Sequence, residues 1–509
     1  MSDTNRPAGS HVGAAVGSDG GAPVGAQHAE LRRRQPSIDA AGAAMLRQLV
    51  EHPDAPAWNH VAGDRLQADD LAWLDALRAD LAQRTPTSAG PDARLLSWLA
   101  DRLPQTPLLR ERVAGIDDLD AGWATIPTSG RADLALRLED LVPDDAPLDE
   151  MLVYSTAGTT GHPLRVPHHS RGVAAYLALI EVALRRWGIE LDLGPGVVGA
   201  MLLGAQRSTV TYPCVLAGWG NVGFAKINLD PDSWPRVGAA GRYLRAMAPR
   251  LLTGDPISFA ELLRQDVVGP MPARERPRAL LSTAVAMSST LRTKLRSELQ
   301  IPVIDWYSLT ETGPIAFACP ASDDDPVAMH LLGNDLYVEI LGADGHPVPD
   351  GEVGEVVVSG GRNRYLPLLR YRTGDWAAMR RDRCGCGEPT ARLVGLQGRQ
   401  PVLFVSEAGT VVNPVDLARG LRPFAMLAHE VEQDACGEVR VRVRALPDQR
   451  LDLEGIGAAL RALLGSAPGG VALDLREDPT LGSRGDKPQP WRSAMRLDDL
   501  LRPPGQEPT

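Results

Sequence analysis

From residue 36 onward the apolar positions fall into distinct regimes. Residues 38–49, 68–83 and 93–103 repeat apolar side chains at three- and four-residue spacing, which predicts amphipathic helices. From about residue 148 short continuous apolar runs take over, and 197–203, 250–253, 279–282 and 303–306 read as buried strands. Between them 173–187, 234–247 and 291–299 keep helical spacing. This alternation predicts an α/β fold with a largely parallel sheet. After residue 308 the pattern changes. Segments 336–341, 354–359 and 376–380 read as strands divided by Asp-Gly and Pro-rich turns, the mark of a smaller β-rich subdomain. Beyond Gly398, Arg399 and Gln400, segments 411–421, 439–445, 456–464 and 471–475 form a compact α+β pattern. Residues 1–35 are rich in Gly, Ala, Ser and Pro without periodicity and read as a disordered leader. The expected layout is therefore a large N-terminal α/β domain over 36–398, including the β-rich subdomain, and a small mobile α+β C-terminal domain over 399–509.

Composition narrows the function classes. A chain of 509 residues exceeds the size at which single cores stop growing, roughly 250–300, so more than one domain is expected. The formal net charge is −11 and no Lys/Arg block stands out, which argues against nucleic-acid binding. No apolar run has the length of a membrane span, and no basic-then-apolar segment opens the chain as a secretory signal would. Five cysteines in so long a chain are not a disulfide scaffold; they suggest a reducing cytoplasm and a metal.

Five segments carry candidate chemistry. Residues 154–163, Tyr-Ser-Thr-Ala-Gly-Thr-Thr-Gly-His-Pro, gather Ser155, Thr156, Thr159 and Thr160 around Gly158 and Gly161. Glycines allow close approach, and hydroxyls with free amides suit a phosphate. A polar surface turn is the plain alternative, and no Lys-Ser/Thr follows to make a nucleotide P-loop. Residues 305–313 set Tyr307 at a strand end before a turn with Thr310 and Glu311, where a ring can stack on a base and a carboxylate can hold magnesium. A strand end with a helix-capping Thr-Glu accounts for it as well. Residues 370–375, Arg-Tyr-Arg-Thr-Gly-Asp, place Asp375 in a turn where it can accept ribose hydroxyls; an ordinary turn is the alternative. Residues 393–399 end in Arg399, and Lys487 lies in a Pro-rich loop where a solvated lysine is the plain reading.

Taken together, in this order, these segments resemble the adenylate-forming acyl ligase superfamily over roughly residues 100–495. The resemblance implies a two-step reaction: a carboxylate attacks the α-phosphate of ATP to give acyl-AMP, and a second nucleophile then displaces AMP. It implies that Ser155, Thr156, Gly158, Thr159, Thr160, Gly161 and His162 hold the β- and γ-phosphates, Tyr307 lies against adenine, Thr310 touches phosphate, and Glu311 holds magnesium. Asp375 and Arg399 would fix the ribose, and Lys487 would meet the charge that develops during attack, usually the largest catalytic term. The acceptor would be CoA, a carrier-protein thiol, or an amine. A non-catalytic nucleotide binder is the rival reading; Thr310, Glu311, Asp375 and Lys487 speak against it. The small domain would act as a lid, rotating about Arg399 and Gln400 between the two steps.

The cysteines refine this. Cys384 and Cys386 flank one glycine, and Cys319 with His330 completes a Cys3His set of the structural zinc type. The set is similar to that of the phenylacetate–CoA ligase branch. A core thiol and a surface imidazole are the alternative for Cys319 and His330. Cys214 and Cys436 lack sequence partners and are expected as buried thiols. The acyl pocket is expected within 206–228, where Tyr212, Trp219, Gly220 and Phe224 suit a flat aryl group. Lys226 there is either a carboxylate anchor or a solvated side chain. Three departures from the family pattern stand out. His162 replaces a lysine, 281–288 lacks a Gly-Glu pair, and Gln400 follows the hinge arginine.

Overall fold

The computed structural model describes residues 31–83, 90–155, 164–265, 267, 272, 275–322, 327–333, 335–360, 362–397, 402–421, 423–424, 426–445, 449–465, 472–481 and 491–495. A short antiparallel pair comes first, β1 (Leu152–Ser155) with β2 (Arg165–His168). The main sheet then takes β3 (Val198–Gly204), β4 (Tyr212–Leu216), β5 (Val222–Asn228), β6 (Leu251–Gly254), β7 (Ala279–Ser282), β8 (Val303–Leu309) and β9 (Gly313–Ala318). It continues with β10 (Met329–Leu331), β11 (Leu336–Leu341), β12 (Val353–Gly360), β13 (Leu368–Arg380) and β14 (Arg392–Gln397).

These twelve strands form one sheet in the order β11-β12-β13-β14-β10-β9-β8-β7-β6-β3-β5-β4. Strands β5, β3, β6, β7 and β8 are mutually parallel, and β4 closes that edge antiparallel to β5. From β8 outward every pairing is antiparallel. The expected parallel sheet and β-rich part are thus both present, but they are halves of one sheet. Strand β8 joins them: Val303–Asp305 pair with β7, and Trp306–Leu309 pair with β9.

The parallel strands read as continuous apolar runs because both faces are covered. Met201, Leu252 and Leu280 point into a cluster with Met45, Leu49, Tyr243 and Phe259. Their neighbours Ala200, Leu251 and Leu281 point into the opposite cluster, which also holds Tyr307. On that second side the Ser170–Arg186 helix packs with the Ala68–Ala82 helix through Ala174, Ala178, Leu179, Leu74 and Leu77. The Ser170–Arg186 helix starts where His169 Nδ1 accepts the Arg171 amide at 3.0 Å. The periodicity does not mark the short helices Pro107–Arg112, Arg131–Leu136 and Leu138–Leu141, nor Pro256–Arg264, which Asp255 caps by accepting the Ser258 amide at 2.8 Å.

Toward the C-terminus, β15 (Phe404–Val405) pairs with β16 (Val411–Val412). A four-stranded sheet follows, ordered β19 (Leu473–Glu477), β18 (Val439–Ala445), β17 (Met426–Gln433), β20 (Trp491–Ser493). The Leu453–Leu464 helix carries the crossover from β18 to parallel β19. Asp416 of the Pro414–Leu421 helix accepts the Arg207 amide at 2.9 Å, so this part contacts the carboxyl end of β3. Cys214 is buried, as expected, but Cys436 is exposed, because it sits in the Asp434–Gly437 turn between β17 and β18. Among the described residues no helix is long and apolar enough to cross a membrane.

Candidate functional site

Thr310 and Glu311 occupy the turn between β8 and β9, as the sequence predicts, and no helix follows them. The turn needs Gly313: its φ is +72°, and a Cβ there would collide with the Tyr176 ring of the Ser170–Arg186 helix. Glu311 is buried and accepts a hydrogen bond from the Tyr371 hydroxyl at 3.1 Å. Tyr307 is buried in the large apolar cluster, and its hydroxyl donates to Asp375 Oδ2 at 3.0 Å. Burial, with the Asp375 carboxylate beside it, holds the Tyr307 hydroxyl well above the usual phenol range. Two tyrosine–carboxylate bonds therefore cross between the 305–313 and 370–375 segments. Tyr371 lies within the 370–375 motif, but nothing in that local pattern reveals that it pairs with Glu311.

Asp375 does not lie in a simple turn. It sits inside β13, in a bulge where Val356 of β12 alone faces Thr373, Gly374 and Asp375. Gly374 supplies the left-handed φ of +79°. Thr373 Oγ1 donates to the Val356 carbonyl at 2.8 Å and accepts the Asp375 amide at 3.1 Å. Glu355 accepts from the Gly374 amide at 3.0 Å and from Arg372 Nε at 2.8 Å. Below the bulge Arg370 is almost wholly buried, with its guanidinium on Glu339 and on the Ala124 and Ile126 carbonyls. The bulge is thus fixed on a rigid base, and half-buried Asp375 projects beside Tyr307.

Ser155 ends β1 and is exposed, paired in register with Arg165. Thr156, Gly158, Thr159, Thr160, Gly161, His162, Arg399 and Lys487 lie outside the described residues. At the far end of β2 stands His168, a residue the motifs did not flag. It is 2% exposed, neither ring nitrogen has a hydrogen-bond partner among the described residues, and Tyr154 lies 5.0 Å away ring to ring. The segment without the Gly-Glu pair places Ala284 at φ +76°, a conformation glycine adopts more freely.

The pocket expectation divides. Tyr212 and Phe224 lie on adjacent strands with ring centroids 6.1 Å apart. Trp219 instead wedges between sheet and helix, buried, with its indole N–H donating to Glu181 at 2.8 Å. Gly220 is an exposed turn former at φ +75°. Trp219 is thus a core residue, and Gly220 ends a turn.

Cys319, His330, Cys384 and Cys386 do converge, with their ligand atoms all within 4.8 Å of one another. Cys319 follows β9, His330 lies on β10, and Cys384 and Cys386 lie between β13 and β14. Strand β10 runs between β9 and β14, so sheet order brings the three segments to one edge. Cys319 and Cys384 sulfurs are 3.5 Å apart, and Cys386 Sγ is 3.2 Å from His330 Nε2. A tetrahedral zinc with bonds of about 2.3 Å would set sulfurs about 3.8 Å apart, close to what is found. His330 Nδ1 lies 3.0 Å from the Thr390 carbonyl, and donation there turns the unprotonated Nε2 toward the cysteines as a ligand. Four protein donors leave no open position, so the cluster suits a structural ion.

A family model described as AMP-binding enzyme matches residues 31–363. The phenylacetate-coenzyme A ligase of Pseudomonas putida is 24% identical over 394 residues, covering 72% of this chain and 81% of that protein. The protein of the same name from Thermus thermophilus is 23% identical over 331 residues, covering 61% and 69%. Among solved structures, a 2-hydroxyisobutyryl-CoA ligase with 2-HIB-AMP and CoA in its thioesterification state is similar in fold. Its TM-score is 0.51 at 18% identity, covering 86% of this chain and 92% of that one.

Proposed function

The chain belongs to the AMP-binding enzyme family, in the branch similar to phenylacetate–CoA ligases, and we propose that it activates an aryl carboxylic acid and transfers the acyl group to the thiol of CoA. Its class is that of an AMP-forming, acid-activating ligase that uses ATP. In the first step a carboxylate oxygen bonds to the α-phosphorus and the bond to pyrophosphate breaks. In the second a thiolate bonds to the acyl carbon and AMP leaves.

The observation that carries this reading is the pair of tyrosine–carboxylate bonds joining Glu311 to Tyr371 and Asp375 to Tyr307. They hold two acidic groups beside the Thr310 turn, one suited to magnesium and one to ribose hydroxyls. Bound magnesium would neutralise phosphate charge; Glu311 is the residue here that would hold it. Asp375, fixed by its bulge, orients the sugar. Thr310 offers its hydroxyl to phosphate. Lys487 supplies the cation at the reacting oxygens, and Ser155 with residues 156–162 grips the outgoing pyrophosphate. Residues 399–509 act as a lid over residues 36–398. The Cys3His cluster holds zinc and ties the ends of β9, β10 and the β13–β14 connection together. Five free cysteines suit a reducing cytoplasm.

Pyrophosphate release with a panel of aryl acids tests the first step. No release with any acid, under conditions where ATP binds, would sink the proposal. Mass spectrometry of products from ATP, mixed acids, CoA and amines tests the second. An acyl-CoA product is expected; an amide in its place would reassign the acceptor.

A further inference from the structure

The chain uses lysine at only three of its 53 Lys/Arg positions, 226, 294 and 487. Lys294 is accounted for by an ion pair with Glu298 on a helix surface. Lys226 is different: it is half-buried on β5 and makes no ion pair or hydrogen bond among the described residues. Directly opposed residues of an antiparallel pair share a face, as do residues two apart on a strand. Lys226 faces Tyr212, and Phe224 faces Cys214, so all four lie on one side of the β4–β5 pair. Phe224 packs against the apolar cluster that contains Tyr307, which places this face on the same side of the sheet as the Glu311–Asp375 site. Lys226 is also near the carboxyl end of a parallel strand, the edge outside which ligands bind in open α/β sheets.

Its electrostatic surroundings leave the ammonium poorly compensated. Burial pushes its pKa down, and the like charge of Arg419 adds to this. Asp255 opposes, but that carboxylate already accepts the Ser258 amide, and burial pushes its own pKa up. His60 meets the Tyr212 ring edge-on at 5.9 Å, and burial, Arg34 and Lys226 together hold its imidazole toward the neutral form. A compact cation that shares one face with Tyr212 and Phe224, with further basic groups around it, is in an environment that an anion would relieve.

We propose that Lys226 is a specificity-determining residue that binds a second acidic oxygen group of the substrate, so that the preferred acid is an aromatic ring bearing two acidic groups, one activated at the Glu311–Asp375 site and one held at Lys226. This rests on the ligase reading above. The test uses the full chain, wild type and Lys226→Met, with ATP and matched aryl acids that carry one or two carboxylates. The diacid-to-monoacid ratio of kcat/KM should fall at least tenfold in Lys226→Met, chiefly through KM, and Lys226→Arg should restore part of it. An unchanged ratio overturns the Lys226 assignment while leaving the ligase reading intact. Calorimetric binding of the unactivated diacid reads the residue without turnover. Weaker binding by Lys226→Met supports the assignment, and equal binding by both proteins overturns it. Absence of pyrophosphate release with every acid would instead count against the ligase reading.

Discussion

Replacing His168 with leucine should make the protein less sensitive to acid. His168 is buried beside Tyr154, and only the Thr310 backbone favours its charged form. Burial outweighs that and pushes the imidazole from 6.5 down to about 4. The folded state therefore takes up this proton only near pH 4, whereas the unfolded chain takes it up near 6.5. Between those values the unfolded state binds more protons, so stability is lost as pH falls. The two-pKa linkage gives a loss of about 2 kcal/mol at pH 5 and about 3 kcal/mol at pH 4, with almost none at pH 7. Leucine cannot charge, and it also removes two buried ring nitrogens whose polar surroundings among the described residues are limited to the Thr310 backbone. Urea unfolding followed by tryptophan fluorescence, run on both proteins at pH 7 and pH 5, isolates the effect. The wild-type-minus-variant difference should shift by about 2 kcal/mol between the two pH values, because carboxylates that titrate in both proteins cancel. Parallel pH dependence in the two proteins would show that His168 does not set this acid sensitivity.

Other expectations concern the site itself. Tyr371→Phe removes the hydroxyl that donates to Glu311. A hydrogen bond to a charged group contributes about 1.5–3 kcal/mol, so adenylation should fall roughly ten- to hundredfold and require more magnesium; an unchanged magnesium titration would count against the role given to Glu311. Lys487→Ala should lower acyl-AMP formation by on the order of 10²–10³-fold while thioester formation from supplied acyl-AMP persists. Equal loss in both steps would contradict a lid rotation that carries Lys487 away from the site before the second step. Purified protein should retain near-stoichiometric zinc after dialysis, and Cys386→Ser should lose it and melt at lower temperature, since structural zinc supplies on the order of 10 kcal/mol of apparent binding energy. Full stability of that variant without metal would leave the cluster as packing alone.

Local pattern revealed the elements whose boundaries carry their own punctuation. Strands β7 and β11 fall at the residues expected, because continuous apolar runs end at polar turns. The β4–β5 hairpin is less legible as strands, since Pro213, Trp219, Gly220 and Asn221 interrupt its pattern. The apolar pattern marks strand β13 only from residue 376. Its earlier half is charged, and Arg370 can be buried there only because Glu339 and two carbonyls lie opposite. Such partners are distant in sequence, so no window of residues reveals them. The cysteine cluster was legible for the opposite reason: thiol and imidazole types announce ligand chemistry before any contact is known.

What sequence could not supply is the curvature that makes the site. Tyr307 lies on β8 and Asp375 on β13, with β9, β10 and β14 between them in the sheet. In a flat sheet four strand spacings of about 4.8 Å would hold those strands about 19 Å apart. The 3.0 Å contact from the Tyr307 hydroxyl to Asp375 therefore requires the antiparallel half to curl until β13 faces the end of β8. Register shifts occur where such curling needs them: between Tyr307 and Ser308, between Glu355 and Val357, and between Trp376 and Ala378. A bulge bends its strand and increases local twist. The bulge at Thr373–Asp375 thus does two things at once, curving the sheet and presenting the carboxylate. This explains why the Gly-Asp pair, which reads as an ordinary turn along the chain, sits in the middle of a thirteen-residue strand. The motif encodes the bend that delivers Asp375 to Tyr307 and Tyr371 to Glu311, and each hydroxyl–carboxylate bond can form only if the whole antiparallel half has closed.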